Sequence, residues 1–168
     1  MKMALIRETF APRRGTGKSA GIDIFVPKIT PQYIMAFNIE NRSAEKNAFI
    51  DPVRKMICIH PGGRVFIPTG VKVEIPEGYA LVVMNKGGTS WTDRVTKIAE
   101  LIDQDYSGEI FITMMNYSGE KTTLQENQKL VQLVLVPVFY DEIELVPVEQ
   151  LHLVKTERGE GAMGSTGK

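Results

Sequence analysis

Apolar and polar residues alternate along short stretches of the chain, and turn-forming residues separate these stretches. Residues 71–75 read Val-Lys-Val-Glu-Ile, which is the alternation of a half-buried strand. Pro76 and Gly78 then interrupt the pattern, and residues 79–84 are apolar again. This arrangement predicts two strands joined by a turn.

Further strands are predicted at three later stretches. Residues 109–116 form one, and residues 130–138 are so apolar that we expect burial on both faces, with an edge or a bend at Pro137. Residues 143–148 give a short last strand. Long helical periodicity is absent, although residues 92–100 have room for one helical turn. The sequence therefore predicts an all-β fold such as a sandwich, a jelly roll or a barrel.

Two segments lack the strand pattern. Residues 28–54 include a polar stretch and are predicted to form a long loop or an added hairpin. Residues 157–168 carry four glycines and no apolar repeat, which predicts a disordered tail. We therefore expect one β domain over residues 1–154 and a flexible C-terminal arm over residues 155–168.

Composition narrows the class of function. The chain has 168 residues, the length of a single domain, and 20 basic residues balance 20 acidic ones. This balance argues against a general nucleic-acid or membrane-surface binder, which carries a basic excess, but allows a site for one small anion. The single cysteine, Cys58, suits a buried strand and a reducing compartment. We expect a cytoplasmic protein without a signal peptide, a membrane span or a histidine–cysteine metal site.

Two glycine-rich stretches match nucleotide-binding motifs without their structural context. Residues 15–19 read Gly-Thr-Gly-Lys-Ser, but Pro12 stands where a phosphate-binding loop needs glycine, and a predicted strand follows instead of a helix. Residues 159–164 fit the dinucleotide-binding fingerprint but lack its flanking strand and helix. Neither stretch is interpreted as a site of that kind.

Four other segments combine turns or strands with polar groups. Residues 19–24 place a carboxylate at a strand start, and residues 85–90 form a cationic turn with exposed amides. Within residues 102–109, Asp103, Asp105 and a tyrosine share one turn, and residues 129–132 set an amide in an apolar strand. Each has an ordinary structural explanation alone: a cap, a hairpin turn, an Asx turn and a satisfied core amide.

Taken in order, these segments resemble the motifs of the homotrimeric dUTPases. Ser-Ala-Gly-Ile-Asp-Ile at residues 19–24, Ile-Asp-Gln-Asp-Tyr-Ser-Gly-Glu at 102–109 and Arg-Gly-Glu-Gly-Ala-Met-Gly-Ser-Thr-Gly at 158–167 are similar to the first, third and fifth motifs. The cationic turn and the strand with the amide are similar to the second and fourth. The resemblance spans almost the whole chain.

The resemblance implies a jelly roll, a threefold homotrimer with active sites shared between chains, and hydrolysis of dUTP to dUMP and pyrophosphate. Such an enzyme clears dUTP from the nucleotide pool and supplies the precursor of dTTP. Asp103 would be the general base that activates water for attack on the α-phosphorus. Asp23 would hold Mg²⁺ through bound water. Tyr106 would lie beneath the deoxyribose and exclude a 2′-hydroxyl, and Gln132 would bond a phosphate oxygen or the attacking water.

The resemblance also implies further substrate-binding residues on the turn, the strands and the arm. The arm would be mobile when the site is empty and closed over bound substrate. The groups facing the phosphates would be Lys86, Gly87, Gly88, Thr89, Ser90, Arg158, Gly164, Ser165 and Thr166. The groups near the nucleoside would be Lys97, Ile102 and Met163.

The second motif departs from the family pattern. Lys86-Gly87-Gly88 stands where the family has Arg-Ser followed by Gly or Ser. Lysine keeps the charge but loses the planar guanidinium fork, and a hydroxyl that contacts phosphate is lost with the serine. Thr89 and Ser90 are the candidate replacements for that hydroxyl.

The base-recognition positions depart as well. Met163 replaces the phenylalanine that stacks on uracil, and since stacking contributes roughly 1–3 kcal/mol per base, we expect weaker substrate affinity. Lys97 and Glu100 stand where the family has an asparagine and a glycine. Uracil recognition is therefore where this chain is expected to differ from the family.

Three alternatives remain open. A dCTP deaminase shares the fold and the trimer, but its catalytic glutamate would fall near Thr113, and its proline-glycine form of the third turn is absent. A triphosphatase with a shifted base preference, for dCTP or a modified uracil, is suggested by Lys97, Glu100 and Met163. A non-catalytic trimeric regulator is favoured only by the altered second motif.

Overall fold

The computed structural model describes residues 1–42, 47–151, 154, 156, 157 and 159–161. The chain divides into two compact units, Met1–Val138 and Phe139–Lys168. The strands found among the described residues all belong to the first unit, and the predicted all-β fold is confirmed. They are β1 (Lys2–Leu5), β2 (Arg13–Arg14), β3 (Ile22–Phe25), β4 (Ala48–Asp51), β5 (Met56–Ile59), β6 (Arg64–Glu74), β7 (Tyr79–Asn85), β8 (Val95–Lys97), β9 (Leu101–Ile102), β10 (Glu109–Asn116), β11 (Thr122–Gln125) and β12 (Lys129–Pro137).

A five-stranded antiparallel sheet in the order β2-β3-β12-β7-β9 carries most of the candidate site residues. The central strand β12 begins with adjacent buried residues, Leu130 and Val131, so both of its faces are buried there, as predicted. Leu133 is buried as well, but the positions from Val134 to Val136 are only half-buried, and the strand ends at Pro137. The pairing sets Gln132 opposite Asp23 on one side and opposite Met84 on the other.

A four-stranded sheet in the order β1-β6-β10-β8 forms the second layer of the core. β10 has the predicted bounds, and its buried apolar residues Ile110, Ile112 and Met114 alternate with half-buried ones. Each such side chain stabilises the fold by roughly 1.5–3 kcal/mol when removed from water. The predicted alternation at residues 71–75 is likewise observed, at the end of β6.

The loop predicted for residues 28–54 is wrong for its first half, which contains helix α1 (Pro31–Asn41). Thr30 caps this helix by accepting a hydrogen bond from the Tyr33 N–H, and proline suits its first turn. Tyr33 and Phe37 are buried on one face, while Met35 and Ile39 are exposed on another. Apolar residues on several faces hide the helical period from sequence analysis. The second half holds β4, which forms a hairpin with β5.

Two smaller features differ from the sequence predictions. The helical turn lies at α2 (Gly87–Thr92), before the predicted segment 92–100, which instead holds β8. Residues 143–148 form no strand; the regular element among the described residues of the second unit is a 3-10 helix, Val148–Gln150. A strand needs a neighbour for its backbone groups, and the alternation of residues 143–148 supplies none. The boundary between a β domain and an arm at residue 154 stays a prediction.

Within the described part of the chain, the helices are too short or too polar to cross a bilayer. Cys58 is buried in β5, as predicted.

Candidate active site

Asp23 lies in β3 between two lysines. Its side chain is 2% exposed, and Lys86 Nζ lies 2.8 Å from Oδ1. Lys129 Nζ lies 2.8 Å from Oδ2. The two cations arrive from different elements, because Lys86 follows β7 and Lys129 begins β12. The sheet therefore encloses one carboxylate with two ammonium groups.

The lysines decide the charge of Asp23. Burial raises the pKa of this carboxyl, but hydrogen bonding and charge from Lys129 and Lys86 lower it more, so that the pKa lies below its usual 3.8. Asp23 is therefore anionic at neutral pH. Oδ2 is buried and lacks a hydrogen bond of good geometry, although the Lys129 ammonium lies within ion-pair distance.

Gln132 lies beside this cluster and packs tightly against Gly21. A Cβ on Gly21 would come within 2.4 Å of Gln132 Oε1 and 2.8 Å of Gln132 Cβ, so only glycine fits there. The Gln132 amide donates to the Asn85 carbonyl at 3.2 Å. The first, second and fourth sequence motifs thus meet at one end of the five-stranded sheet.

The residues after Lys86 form α2. The first two have open space beside the backbone, and the next two make hydrogen bonds through their side chains. Gly87 and Gly88 have open space where a Cβ would stand. Thr89 is buried, and its hydroxyl donates to the Lys129 carbonyl at 2.7 Å. The Ser90 hydroxyl donates to the Val95 carbonyl at 3.2 Å. Both hydroxyls considered as replacements for the missing serine therefore bond backbone carbonyls in this structure.

Asn85 connects this turn to the strand that carries Lys97. Its amide donates to the Thr96 hydroxyl at 2.8 Å, and its Oδ1 accepts from the Lys97 N–H at 2.9 Å. The Lys97 ammonium pairs with the Glu100 carboxylate, and the Lys97 side chain is mostly buried. Two residues that depart from the family pattern thus contact each other.

Asp103 and Tyr106 lie on a turn that follows β9. Asp103 is exposed, and its carbonyl accepts from the Tyr106 N–H at 3.2 Å. The Tyr106 hydroxyl donates to the Glu109 carbonyl at 2.6 Å, and its ring lies over Gly108, where a Cβ would come within 2.4 Å of that hydroxyl. The turn holds the ring in one orientation while leaving the Asp103 carboxylate accessible.

A cavity of about 210 Å³ opens beside this turn. Its lining includes the Asp103 and Tyr106 side chains and a mainly apolar wall. Phe66 and Phe111 in that wall are stacked, with ring centroids 4.8 Å apart and an interplanar angle of 15°. Ile102, a predicted substrate-binding residue, also lines it. The cavity has the composition of a pocket for a planar, partly apolar group.

The two groups of site residues do not meet within one chain. Asp23 lies level with Met84 of β7, whereas Ile102 lies level with Leu81, and β3 and β9 are three strand spacings apart. At the usual strand dimensions, Asp103 is therefore about 20 Å from Asp23 along the sheet. One chain alone does not bring both carboxylates to one small ligand.

Sequence reasoning missed Lys129 as a site residue. The signal was its position directly before the apolar strand of the fourth motif, but its partner Asp23 is 106 positions earlier in the sequence (129 − 23). Five predicted residues, Arg158, Met163, Gly164, Ser165 and Thr166, lie outside the described residues.

The residues around Asp23 fit magnesium only together with a polyphosphate. Two ammonium groups and one carboxylate leave a net charge of +1, which repels a bare divalent cation. In the described residues, no group of three or more His, Cys, Asp or Glu side chains could hold an ion alone. A magnesium triphosphate complex is anionic, so the two lysines suit its phosphates, and the Asp23 carboxylate suits a hydrogen bond from metal-bound water.

Comparison with known proteins identifies the family of this chain. Residues 35–167 match the dUTPase family. The deoxyuridine 5′-triphosphate nucleotidohydrolase of Fusobacterium nucleatum is 36% identical over 118 residues, covering 69% of this chain and 78% of that protein. The corresponding protein of Anaplasma marginale is 30% identical over 159 residues, covering 93% of this chain and 88% of that protein.

Solved structures show the same fold. The dUTPase of Staphylococcus bacteriophage 80alpha with dUpNHpp matches with a TM-score of 0.76 at 20% identity, covering 99% of this chain and 98% of that chain. A dUTPase from phage phi11 of S. aureus, described with a structural Mg(II) ion, matches with a TM-score of 0.66 at 23% identity over 88% of this chain and 97% of that chain. The family match covers most of the sequence, and this chain belongs to the dUTPase family.

Proposed function

We propose that this protein hydrolyses dUTP to dUMP and pyrophosphate. The observation that carries the proposal is the buried Asp23 held between Lys86 and Lys129, in a chain that matches the dUTPase family over residues 35–167. Two cations around one carboxylate suit a magnesium-bound triphosphate. This reaction clears dUTP and supplies dUMP.

The reaction is an in-line displacement at the α-phosphorus. Asp103 takes a proton from water, the water oxygen bonds to the α-phosphorus, and the bond from that phosphorus to the bridging oxygen of the β-phosphate breaks. The leaving group is pyrophosphate. Asp23 would hold Mg²⁺ through bound water, and the ion would neutralise charge on the phosphates. Asp103 is exposed on a turn, so its carboxylate can contact a water molecule beside a substrate that other residues bind.

Substrate recognition divides between the two groups of residues. Lys86, Lys129 and the open backbone at Gly87 and Gly88 bind phosphate oxygens, and Gln132 orients a phosphate oxygen or the water. Charge-assisted hydrogen bonds of this kind are about twice as strong as neutral ones. Thr89 and Ser90 shape the turn through their hydroxyls.

The nucleoside occupies the cavity beside the third motif. Tyr106 lies beneath the deoxyribose, and its fixed ring excludes a 2′-hydroxyl by collision. Ile102 and the stacked side chains of Phe66 and Phe111 face the base. Lys97, whose side chain pairs with Glu100, lies in the segment just before Ile102.

The C-terminal arm completes the site. Arg158 binds the γ-phosphate as a bidentate donor, Gly164, Ser165 and Thr166 add amide and hydroxyl donors, and Met163 covers the uracil. Removing water from the closed site strengthens each electrostatic contact.

The site is shared between copies in a homotrimer. The support is the separation of about 20 Å between Asp103 and Asp23 in one chain, which leaves each site incomplete without a second copy. The second unit also exposes large apolar side chains that suit an interface, with Ile143 91% and Leu145 94% exposed.

Pyrophosphate release with magnesium tests the activity, with dUTP, dCTP, dTTP and UTP compared under identical conditions. We expect strong preference for dUTP. Preference for another base would assign the activity to a different substrate and point to Lys97 and Glu100. No pyrophosphate release with any of the four nucleotides would refute catalysis and favour a non-catalytic trimer. The altered second motif, Lys86-Gly87-Gly88, would then be the first candidate for the cause.

Mixing two inactive variants tests the shared site. Asp23→Asn and Asp103→Asn chains, unfolded and refolded together in equal amounts, restore intact sites at about a quarter of positions if the two carboxylates come from different copies. Each variant refolded alone is the control. Mixed trimers that regain no activity would show that the two residues act within one chain.

A further inference from the structure

A buried charge pair lies outside the residues assigned above. Arg7 follows β1, and its guanidinium pairs with the Glu109 carboxylate at the start of β10. The side chains are only 24% and 8% exposed. The second oxygen of Glu109 accepts from the Gly70 N–H at 2.6 Å. Because removing one partner leaves a buried charge uncompensated, the fold holds this pair as a unit.

The backbone around the pair is shaped to receive it. Gly70 has a φ of +75°, and a Cβ there would come within 2.6 Å of Arg7 Cγ. The register between β6 and β10 shifts between Glu109 and Phe111, and the Thr69 hydroxyl donates to the Ile110 carbonyl at 2.6 Å across this irregularity. A left-handed glycine and a shifted register are specific local arrangements, and together they fix the position of Glu109.

Glu109 also holds the turn of the third motif. Its carbonyl accepts the Tyr106 hydroxyl at 2.6 Å, so one residue joins the buried pair through its side chain and the tyrosine through its backbone. Since Asp103 lies on the same turn, the orientation of both residues depends on where the pair places Glu109.

Helix α1 packs against β6, the strand that contains Gly70. Tyr33 of this helix is 1% exposed, and among the described residues its hydroxyl has no hydrogen-bond partner. Burial raises the pKa of Tyr33, the Arg7 charge opposes this rise and the Glu109 charge adds to it. An ion pair away from water is stronger and more rigid than an exposed one.

We propose that Arg7 and Glu109 are positioning residues that hold Tyr106 in the orientation that rejects a 2′-hydroxyl. The proposal rests on the proposed dUTPase function. Glu109→Gln keeps the shape of the side chain but removes its charge, so that the Arg7 guanidinium no longer holds residue 109 in position. Tyr106→Phe removes the hydroxyl that reaches the Glu109 carbonyl. Both changes free the same ring.

The test compares kcat/KM for dUTP and for UTP in these variants. We expect each single variant to lower the dUTP-to-UTP ratio roughly 10-fold to 100-fold, because a small displacement near the reacting groups has effects of this size. The double variant is expected to be no worse than the worse single one, since both act through one linkage. Glu120→Gln, which breaks the exposed pair with Arg94 just beyond the opposite end of β10, is the matched control and should leave the ratio unchanged.

Hydrogen exchange of residues 103–109 separates this proposal from the proposed function, because it needs no turnover. Faster exchange there in folded Glu109→Gln, with Glu120→Gln unchanged, supports the positioning role even in a protein that cleaves no nucleotide. An unchanged ratio together with unchanged exchange, or fully additive effects in the double variant, would overturn it. Should Glu109→Gln fail to fold, Arg7→Lys gives the same readouts, because it keeps the charge and removes the fork.

Discussion

The two candidate carboxylates of this protein occupy opposite environments. Asp23 is in a strand, 2% exposed and held by Lys86 and Lys129 at 2.8 Å each. Asp103 is on an exposed turn, and among the described residues it makes no ion pair. The cross-strand register keeps the two about 20 Å apart in one chain.

This contrast separates binding from chemistry. A group that positions a charged ligand benefits from a rigid sheet and fixed counter-charges. The lysines beside Asp23 are then already held where phosphate binds. A group that accepts a proton from water must stay accessible, and in the proposed homotrimer a second copy brings the ligand to it. Four changes test the contrast, from the largest expected effect to the smallest.

Asp103→Asn is expected to lower turnover by roughly 10²–10⁴, the usual contribution of a general base, while leaving the fold and assembly intact. An amide cannot take the proton, but it fills the same space on an exposed turn. Steady-state pyrophosphate release measures the loss, and size-exclusion chromatography checks the assembly. Near-normal turnover would remove Asp103 from the mechanism.

Lys129→Met is expected to raise the KM for dUTP roughly 10-fold, since a charge-assisted hydrogen bond contributes about 1.5–3 kcal/mol. The methionine keeps the unbranched stem and removes the ammonium group beside Asp23. Lys2→Met, at an exposed pair, serves as the control. A KM unchanged in Lys129→Met but raised in Lys86→Met would show that Lys129 has no role in substrate binding.

The depressed pKa of Asp23 predicts a pH dependence of stability. A carboxyl with a pKa below 3.8 in the folded protein stabilises the fold at pH values above the unfolded pKa, and this stabilisation is lost as the pH falls through the folded pKa. Wild type should therefore lose its advantage in Tm over Asp23→Asn as the pH falls from about 5 to about 2. A constant difference in Tm, measured by calorimetry, would contradict the ion pairs with Lys86 and Lys129.

Thr89→Val is expected to have the smallest effect, a loss of about 1 kcal/mol in the free energy of unfolding. The substitution keeps the volume and removes the hydroxyl that donates to the Lys129 carbonyl. Urea unfolding measures the change. A more stable variant would mean that this buried hydrogen bond does not anchor α2 to β12.

Sequence periodicity predicted the strands better than the helix. β7 and β10 follow directly from local patterns, because a period of two needs only a few residues to show. Helix α1 was missed because its exposed Met35 and Ile39 break the amphipathic pattern. The strand predicted at residues 143–148 is not formed, since alternation says nothing about a pairing partner.

The candidate site shows the same division. The motifs around Asp23, Asp103 and Gln132 identified the polar groups because their residue types and order are local features of the sequence. Lys129 was missed, as was the pair between Arg7 and Glu109, whose members lie 102 positions apart. Such contacts depend on which strands become neighbours.

The amino-acid sequence by itself determined the all-β class, the family and the chemical groups available for catalysis, because alternation, turns and motifs are written in consecutive residues. Only the tertiary structure decided that two lysines share Asp23, that Asp103 lies about 20 Å away, and that a buried ion pair holds Tyr106. The physical reason is that charge, burial and distance arise from strand register and packing between distant segments, which no local pattern encodes.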